Sequence, residues 1–247
     1  MKFSVINGLL ALTAATSAAA RQISVVNGCS FTVWPALFTD KRAGGGIPSQ
    51  ATGWIAPPST RTTFTVPDNW KAGRIWGRRD CDFSKPGASS CLTGGCAGGL
   101  LCDPDTGTGA GPVTLTEFTF DGLSDWTDVS LVDGFNIPVR ITNTGGCAVT
   151  ECPVDLNPNC PPSLKGPFNA SGGPVGCKSN CVATGDSASC CTGSHNTAAT
   201  CPASGVAFYS YFKNACPRAI AFPYDESNTL ITCPSSKKVD YTVTFCP

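Results

Sequence analysis

The chain has 247 residues, 17 Lys+Arg against 17 Asp+Glu, and a charged fraction of only 14%. That balance leaves no basic stripe of the kind with which nucleic-acid binders meet phosphate, and no apolar run beyond the first twenty residues reaches membrane length. Sixteen cysteines, all after residue 20, exclude a reducing compartment for the folded protein: thiols at that density persist as pairs only in oxidising surroundings, so up to eight disulfides and a secreted, extracellular product are expected.

Residues 1–20 read as a signal peptide. Lys2 gives a positive start, Phe3 to Leu12 an apolar stretch too short to span a bilayer, and Ala18-Ala19-Ala20 a small-residue cleavage site, which predicts a mature start near Arg21. Without Lys2 the mature net charge is 16 − 17 = −1. The ending Phe245-Cys246-Pro247 carries no apolar tail, so no lipid anchor is expected.

From Gln22 to Arg79 short β-branched and aromatic runs alternate with Gly, Pro, Asn and Asp. They predict strands at Ile23–Val26, Phe31–Trp34, Thr62–Val66 and Arg74–Trp76. The same texture returns at Val113–Phe120, Trp126–Val132 and Val139–Thr142. Near the end, Val239, Tyr241, Val243 and Phe245 alternate with Lys238, Asp240, Thr242 and Thr244, the period of a half-buried strand. Both ends of the chain therefore belong to one β core.

Two intervening segments cannot fold on apolar burial alone. Residues 81–102 hold four cysteines among Gly and Ser, and residues 147–201 hold eight with little hydrophobic periodicity, so crosslinks must replace a core there. Adjacent Cys190 and Cys191 are poorly placed to bond each other, and each is expected to reach a different partner. One helix is predicted at Ser204–Ala215, where Phe208, Tyr211, Phe212 and Ala215 share a face and Pro217 follows. Cys177-x3-Cys181 and Cys147-x4-Cys152 are loosely ligand-like, yet the secreted context favours disulfides over zinc, and no metal or cofactor is expected. His195, the only histidine, lies in a Gly/Ser/Thr loop without a nucleophile motif and is given no role.

Val33-Trp34-Pro35-Ala36, Gly73-Arg74-Ile75-Trp76-Gly77-Arg78, Thr114-Leu115-Thr116-Glu117-Phe118, the run from Asp128 to Pro138, Cys190-Cys191 and the run from Tyr241 to Pro247 resemble the thaumatin-like proteins in identity, order and spacing. The resemblance spans essentially the whole mature chain. It implies a mainly β fold: a flattened β-sandwich (about 21–78, 111–153 and 217–247), a small disulfide loop region (about 79–110), a large disulfide-rich region (about 154–216) and one short helix. It also implies the pairs Cys29 with Cys246, Cys81 with Cys91, Cys96 with Cys102, Cys147 with Cys233, Cys152 with Cys216, Cys160 with Cys177, Cys181 with Cys190, and Cys191 with Cys201. Gly95 stands where the family typically has Asp, and Ser89 where Gly or Phe is usual, a local departure in the small loop.

Family members place an Arg, a Glu and three Asp around a cleft. Carried over motif by motif these are Arg74, Glu117, Asp128, Asp133 and Asp225, with neighbouring Glu226 competing for the last place. Crowded carboxylates split their proton affinities, the division that glycoside hydrolysis uses. The resemblance then implies Glu117 as acid and Asp133 as ionised partner, with Arg74, Asp128 and Asp225 orienting them or bonding sugar. Taken singly, each has an ordinary structural role open to it: a turn aspartate at Asp133-Gly134, a solvated or paired strand arginine, an outward glutamate. Three functions follow as alternatives: a secreted binder of β-1,3-glucan or another cell-wall polysaccharide, a weak endo-β-1,3-glucanase, and a non-catalytic antifungal, defence or enzyme-inhibiting protein. A monomer without nucleic-acid partners or a transmembrane segment is expected. Asn169-Ala170-Ser171 is the chain's one N-glycosylation sequon.

Overall fold

A computed structural model describes residues 21–225 and 229–247, so the expected signal peptide lies outside the described residues. Among the described residues eleven strands form two sheets. Strands β1 (Arg21–Asn27), β3 (Arg61–Val66), β8 (Val139–Asn143), β9 (Thr150–Cys152) and β11 (Tyr241–Phe245) make a five-stranded sheet in the order β3-β1-β11-β8-β9. The other sheet runs β10 (Ile231–Pro234), β7 (Ser124–Ser130), β6 (Leu115–Phe120), β4 (Gly73–Cys81), β2 (Trp34–Thr39), with β5 (Cys91–Thr93) on the end of β4.

The chain ends meet in the middle of the first sheet. β1 and β11 pair in parallel from Ile23↔Tyr241 to Asn27↔Phe245, and Cys29–Cys246 fastens their ends. With a sequence separation of 217, that bond removes about 5 kcal/mol of unfolded-state freedom by chain entropy alone. The alternation read in β11 is real: Tyr241, Val243 and Phe245 are buried, Thr242 and Thr244 only partly. Between the sheets Trp70 stacks on Phe118 at 5.5 Å and Phe120 on Tyr241 at 5.7 Å, so inward residues of β6 and β11 interlock. Beside them the buried Arg21 guanidinium lies 4.6 Å from the Phe120 ring and pairs with Asp125, which also accepts from Tyr241 and Ser235. Burial pushes the Tyr241 hydroxyl up to about 12, with Arg21 opposing.

The outer face of the second sheet is partly covered by a second, smaller core of Ala36, Phe38, Trp76, Cys96, Cys102, Val113 and Leu115. The small loop closed by Cys96–Cys102 lies over it and is held by Arg78, itself fully buried. Its guanidinium donates to the carbonyls of Trp34 (2.9 Å), Gly99 (2.6 Å), Pro35 (3.2 Å) and Leu100 (2.8 Å). Burial lowers its pKa to about 10, so it stays charged at neutral pH. A Cβ at Gly95 would collide with the Ala88 carbonyl, which is why glycine suits the position where the local sequence departs from the family.

The cysteines form the eight pairs set out above, and none is free. Cys191 adopts φ 51°, a left-handed turn between Cys190 and its neighbour that sends the two sulfurs to separate partners. The large lobe carries two short helices the periodicity did not signal, α1 (Asn180–Thr184, capped by Ser179) and α2 (Ser187–Cys190, capped by Asp186). The helix expected at Ser204–Ala215 is broken: Phe208 takes φ 62°, and only α3 (Tyr209–Ala215) is α-helical. The strand expected at Phe31–Trp34 instead begins at Trp34 and runs to Thr39, with Pro35 tolerated because β2 is an edge strand. No described helix is long and apolar enough to cross a membrane.

Replacing Arg78 with Met keeps most of the buried volume but leaves four carbonyls without their donor. Stability in chemical denaturation with the disulfides intact should fall by about 3 kcal/mol or more. An unchanged midpoint would mean that the small loop is held by its disulfide alone.

Candidate functional site

The site follows from strand register. On β6 the inward residues are Phe118 and Phe120, which turns Glu117 and Thr119 outward. Antiparallel pairing then sets Phe38 opposite Arg74, Arg74 opposite Glu117, and Glu117 opposite Asp128, one straight row across β2, β4, β6 and β7. The next row toward the small loop, Ala36, Trp76, Leu115 and Ser130, is buried beneath that loop or its neighbours. In the row on the other side Thr119 faces Trp126. Arg74 and Glu117 are the partly exposed members of this row, whereas Phe38 and Asp128 at its ends are buried.

Three contiguous hollows make this strip of the sheet a groove. One, of about 440 Å³, holds Asp40, Lys41, Arg42, Asp105, Arg74 and Glu117. The next, of about 390 Å³, adds Asp128 and Asp133 against a wall of Ile220, Pro223 and Leu230. The last, of about 480 Å³, ends on Thr119 and Trp126. Trp126 is half-buried, and its indole N–H donates to Asp121 at 2.9 Å, which fixes the ring.

Arg74 is the electrostatic centre. Its Nε donates to Glu117 Oε1 at 2.8 Å, and its charge also acts on Asp40 and Asp133 to either side. Asp40 is held at about 2, chiefly by the Arg42 guanidinium that grips it at 2.7 and 2.9 Å. Asp133 follows β7 in the turn that leads to buried Phe135, and burial raises its carboxyl above the ordinary value with Arg74 opposing in part. Burial thus favours the protonated form of Asp133 relative to an ordinary aspartate, and Glu117 is ion-paired with Arg74.

Four of the five residues carried over by resemblance, Arg74, Glu117, Asp128 and Asp133, come together here. Asp225 does not. Its buried carboxylate accepts from Lys213 (2.8 Å), Tyr209 (3.2 Å) and the Ala221 amide (2.9 Å), a set of internal bonds that fastens the 219–225 wall to α3. The competing residue Glu226 lies outside the described residues. Trp126 and the Lys41/Arg42 end were not singled out from sequence; Trp126 was findable, because it stands two residues before Asp128 and so shares its strand face.

Residues 27–247 match the Thaumatin family. Pathogenesis-related thaumatin-like protein 3.5 of Cryptomeria japonica is 38% identical over 242 residues, taking in 97% of this chain and 95% of that protein. Thaumatin-like protein 1 of Pyrus pyrifolia is 37% identical over 256 residues, with 100% of both covered. A solved structure of a laminaripentaose-producing β-1,3-glucanase in complex with laminaritetraose shares the fold at a TM-score of 0.58 and 12% identity, covering 93% of this chain and 99% of that one.

A carboxyl with a raised folded-state pKa binds its proton more tightly in the fold than in the unfolded chain. The stability this gives is therefore complete below the ordinary Asp value of 3.8 and is lost as pH rises through the folded value. Asp133→Asn should raise the melting temperature at neutral pH, with the gain shrinking as the pH falls below 3.8. A gain independent of pH, or a loss at neutral pH, would contradict the burial of this carboxyl.

Proposed function

Because the chain belongs to the thaumatin family, whose relatives here include pathogenesis-related proteins, we propose that it is a secreted binder of β-1,3-glucan that holds the polymer in the Arg74–Glu117–Asp128 groove. Secretion is argued from chemistry: eight disulfides form and persist only along an oxidising route. The observation that carries the binding reading is the register row of Arg74, Glu117 and Asp128, in a groove whose far end is lined by the half-buried Trp126 ring of the neighbouring row. Charged groups in a row bond successive sugar hydroxyls, and an aromatic face stacks on the apolar face of a glucose ring. The choice of β-1,3-linked glucose among wall polysaccharides draws on the glucanase that shares this fold.

Hydrolysis is the second reading, and a specific contrast favours it. Burial raises Asp133 above an ordinary aspartate, while Glu117 accepts from Arg74 at 2.8 Å, so the groove offers a carboxyl favoured as proton donor beside one oriented by a guanidinium. Asp133 would deliver the proton to the leaving oxygen. Glu117, oriented by Arg74, would act on the anomeric carbon or on a water. Asp225 has no part in this chemistry; its role is to hold the wall beside Pro223.

Purified protein should be depleted from solution by insoluble linear β-1,3-glucan, and Trp126→Ala should weaken the binding about tenfold, equivalent to about 1.4 kcal/mol. Unaltered binding by that variant would move the sugar off the groove, and no binding by the wild type would leave the defence or inhibitor alternative. Where new reducing ends appear, Glu117→Gln and Asp133→Asn should each slow their release by about 10²-fold or more while binding persists. The wild-type rate should fall on the alkaline side as Asp133 loses its proton. A profile that falls only on the acid side would return the ionised role to Asp133.

A further inference from the structure

The sequon at Asn169 belongs to no part of the groove, and its geometry separates two uses of one amide group. Residues 168–174 form a closed hairpin tip inside the loop fastened by Cys160–Cys177, with Phe168 bridged to Pro174. The Asn169 N–H donates to the Gly173 carbonyl, and the Gly172 N–H returns to the Asn169 carbonyl, both at 2.9 Å. Within the tip Asn169 Oδ1 accepts from the Ser171 N–H at 3.1 Å and the Gly173 N–H at 2.9 Å. Both side-chain bonds that organise the turn therefore fall on the oxygen. The nitrogen Nδ2 is not needed by either, and Ala170, Ser171 and Gly172 beside it are exposed.

We propose that Asn169 carries an N-linked oligosaccharide in the mature protein. The transfer forms a bond from Asn169 Nδ2 to the anomeric carbon of an oligosaccharide donated by a polyprenyl diphosphate; the bond from that carbon to the diphosphate breaks, the lipid diphosphate leaves, and one amide proton passes to a base of the transferase. No electron is exchanged. The product is still an amide, so Oδ1 keeps both acceptor bonds and the hairpin tip folds unchanged around the sugar. Gly172, at φ 79°, takes the left-handed turn next to the modified residue without a side chain to crowd the glycan. The proposal rests on the secretory route argued above and is independent of what the groove binds.

The test is intact mass and peptide mapping of the full chain, expressed with its own leader in a eukaryotic host and recovered from the medium. The expected result is a mass above that of the disulfide-bonded chain, removed by a peptide amidase that leaves an aspartate at position 169. Ser171→Ala should abolish the added mass and still be secreted with no free thiol, because Ser171 takes part in the turn through its backbone N–H alone. Asn169→Gln should abolish it too, but loses the turn bonds, so Ser171→Ala is the deciding variant. Secreted protein with eight disulfides and an unmodified Asn169 peptide overturns the proposal. Protein retained in the cell with reduced cysteines overturns it through the route, and where the protein is found tells the two failures apart.

Discussion

Parallel pairing of β1 with β11, closed by Cys29–Cys246, is the constraint from which the rest of the molecule hangs. Neighbouring parallel strands cannot be joined by a hairpin, so the chain between them must cross to the other sheet and back, laying β3, β8 and β9 beside them on the way. The return builds the second sheet, whose inner face is satisfied by the aromatic layer of Trp70, Phe118, Phe120 and Tyr241. Its outer face has no third layer to meet it. Crosslinked loops cover part of that face, fastened by Cys96–Cys102 and Arg78 on one side and by Asp225, Lys213 and Tyr209 on the other. What they leave uncovered is the groove.

That origin accounts for the electrostatics of the strip. An outward row on a sheet is ordinarily solvated, but here burial raises the Asp133 carboxyl, and the single guanidinium of Arg74 answers carboxylates on both sides. Such a groove is held at some expense of stability, because a carboxyl buried without a full complement of partners favours the unfolded chain at neutral pH.

The β core was legible because alternation has a single physical cause. In β11 and β6 every second side chain enters the sandwich, and the pattern survives in the residue types. The edge strand β2 was displaced by three residues because Pro35 argues against a strand unless the edge position is known. α1 and α2 span one turn each and owe their form to the caps Ser179 and Asp186 and to Cys181–Cys190, so no periodicity was there to read. At the site, motif resemblance carried residue identity but not orientation: Arg74, Glu117, Asp128 and Asp133 converge, whereas Asp225 turns inward to Lys213. Trp126 was read as the start of a strand, although its two-residue offset from Asp128 already placed both on one face.

The central claim is that the uncovered strip between the lobes is where a glucan lies. Backbone amide chemical shifts recorded while a soluble β-1,3-linked gluco-oligosaccharide is titrated into the protein address it directly. The account predicts saturable shifts confined to the strands of the strip, around Arg74, Glu117 and Trp126 to Asp128, and at the Asp133 turn, with the β1–β11 pair unmoved. Shifts centred on the 160–177 loop or on the five-stranded sheet, with the strip silent, would contradict it.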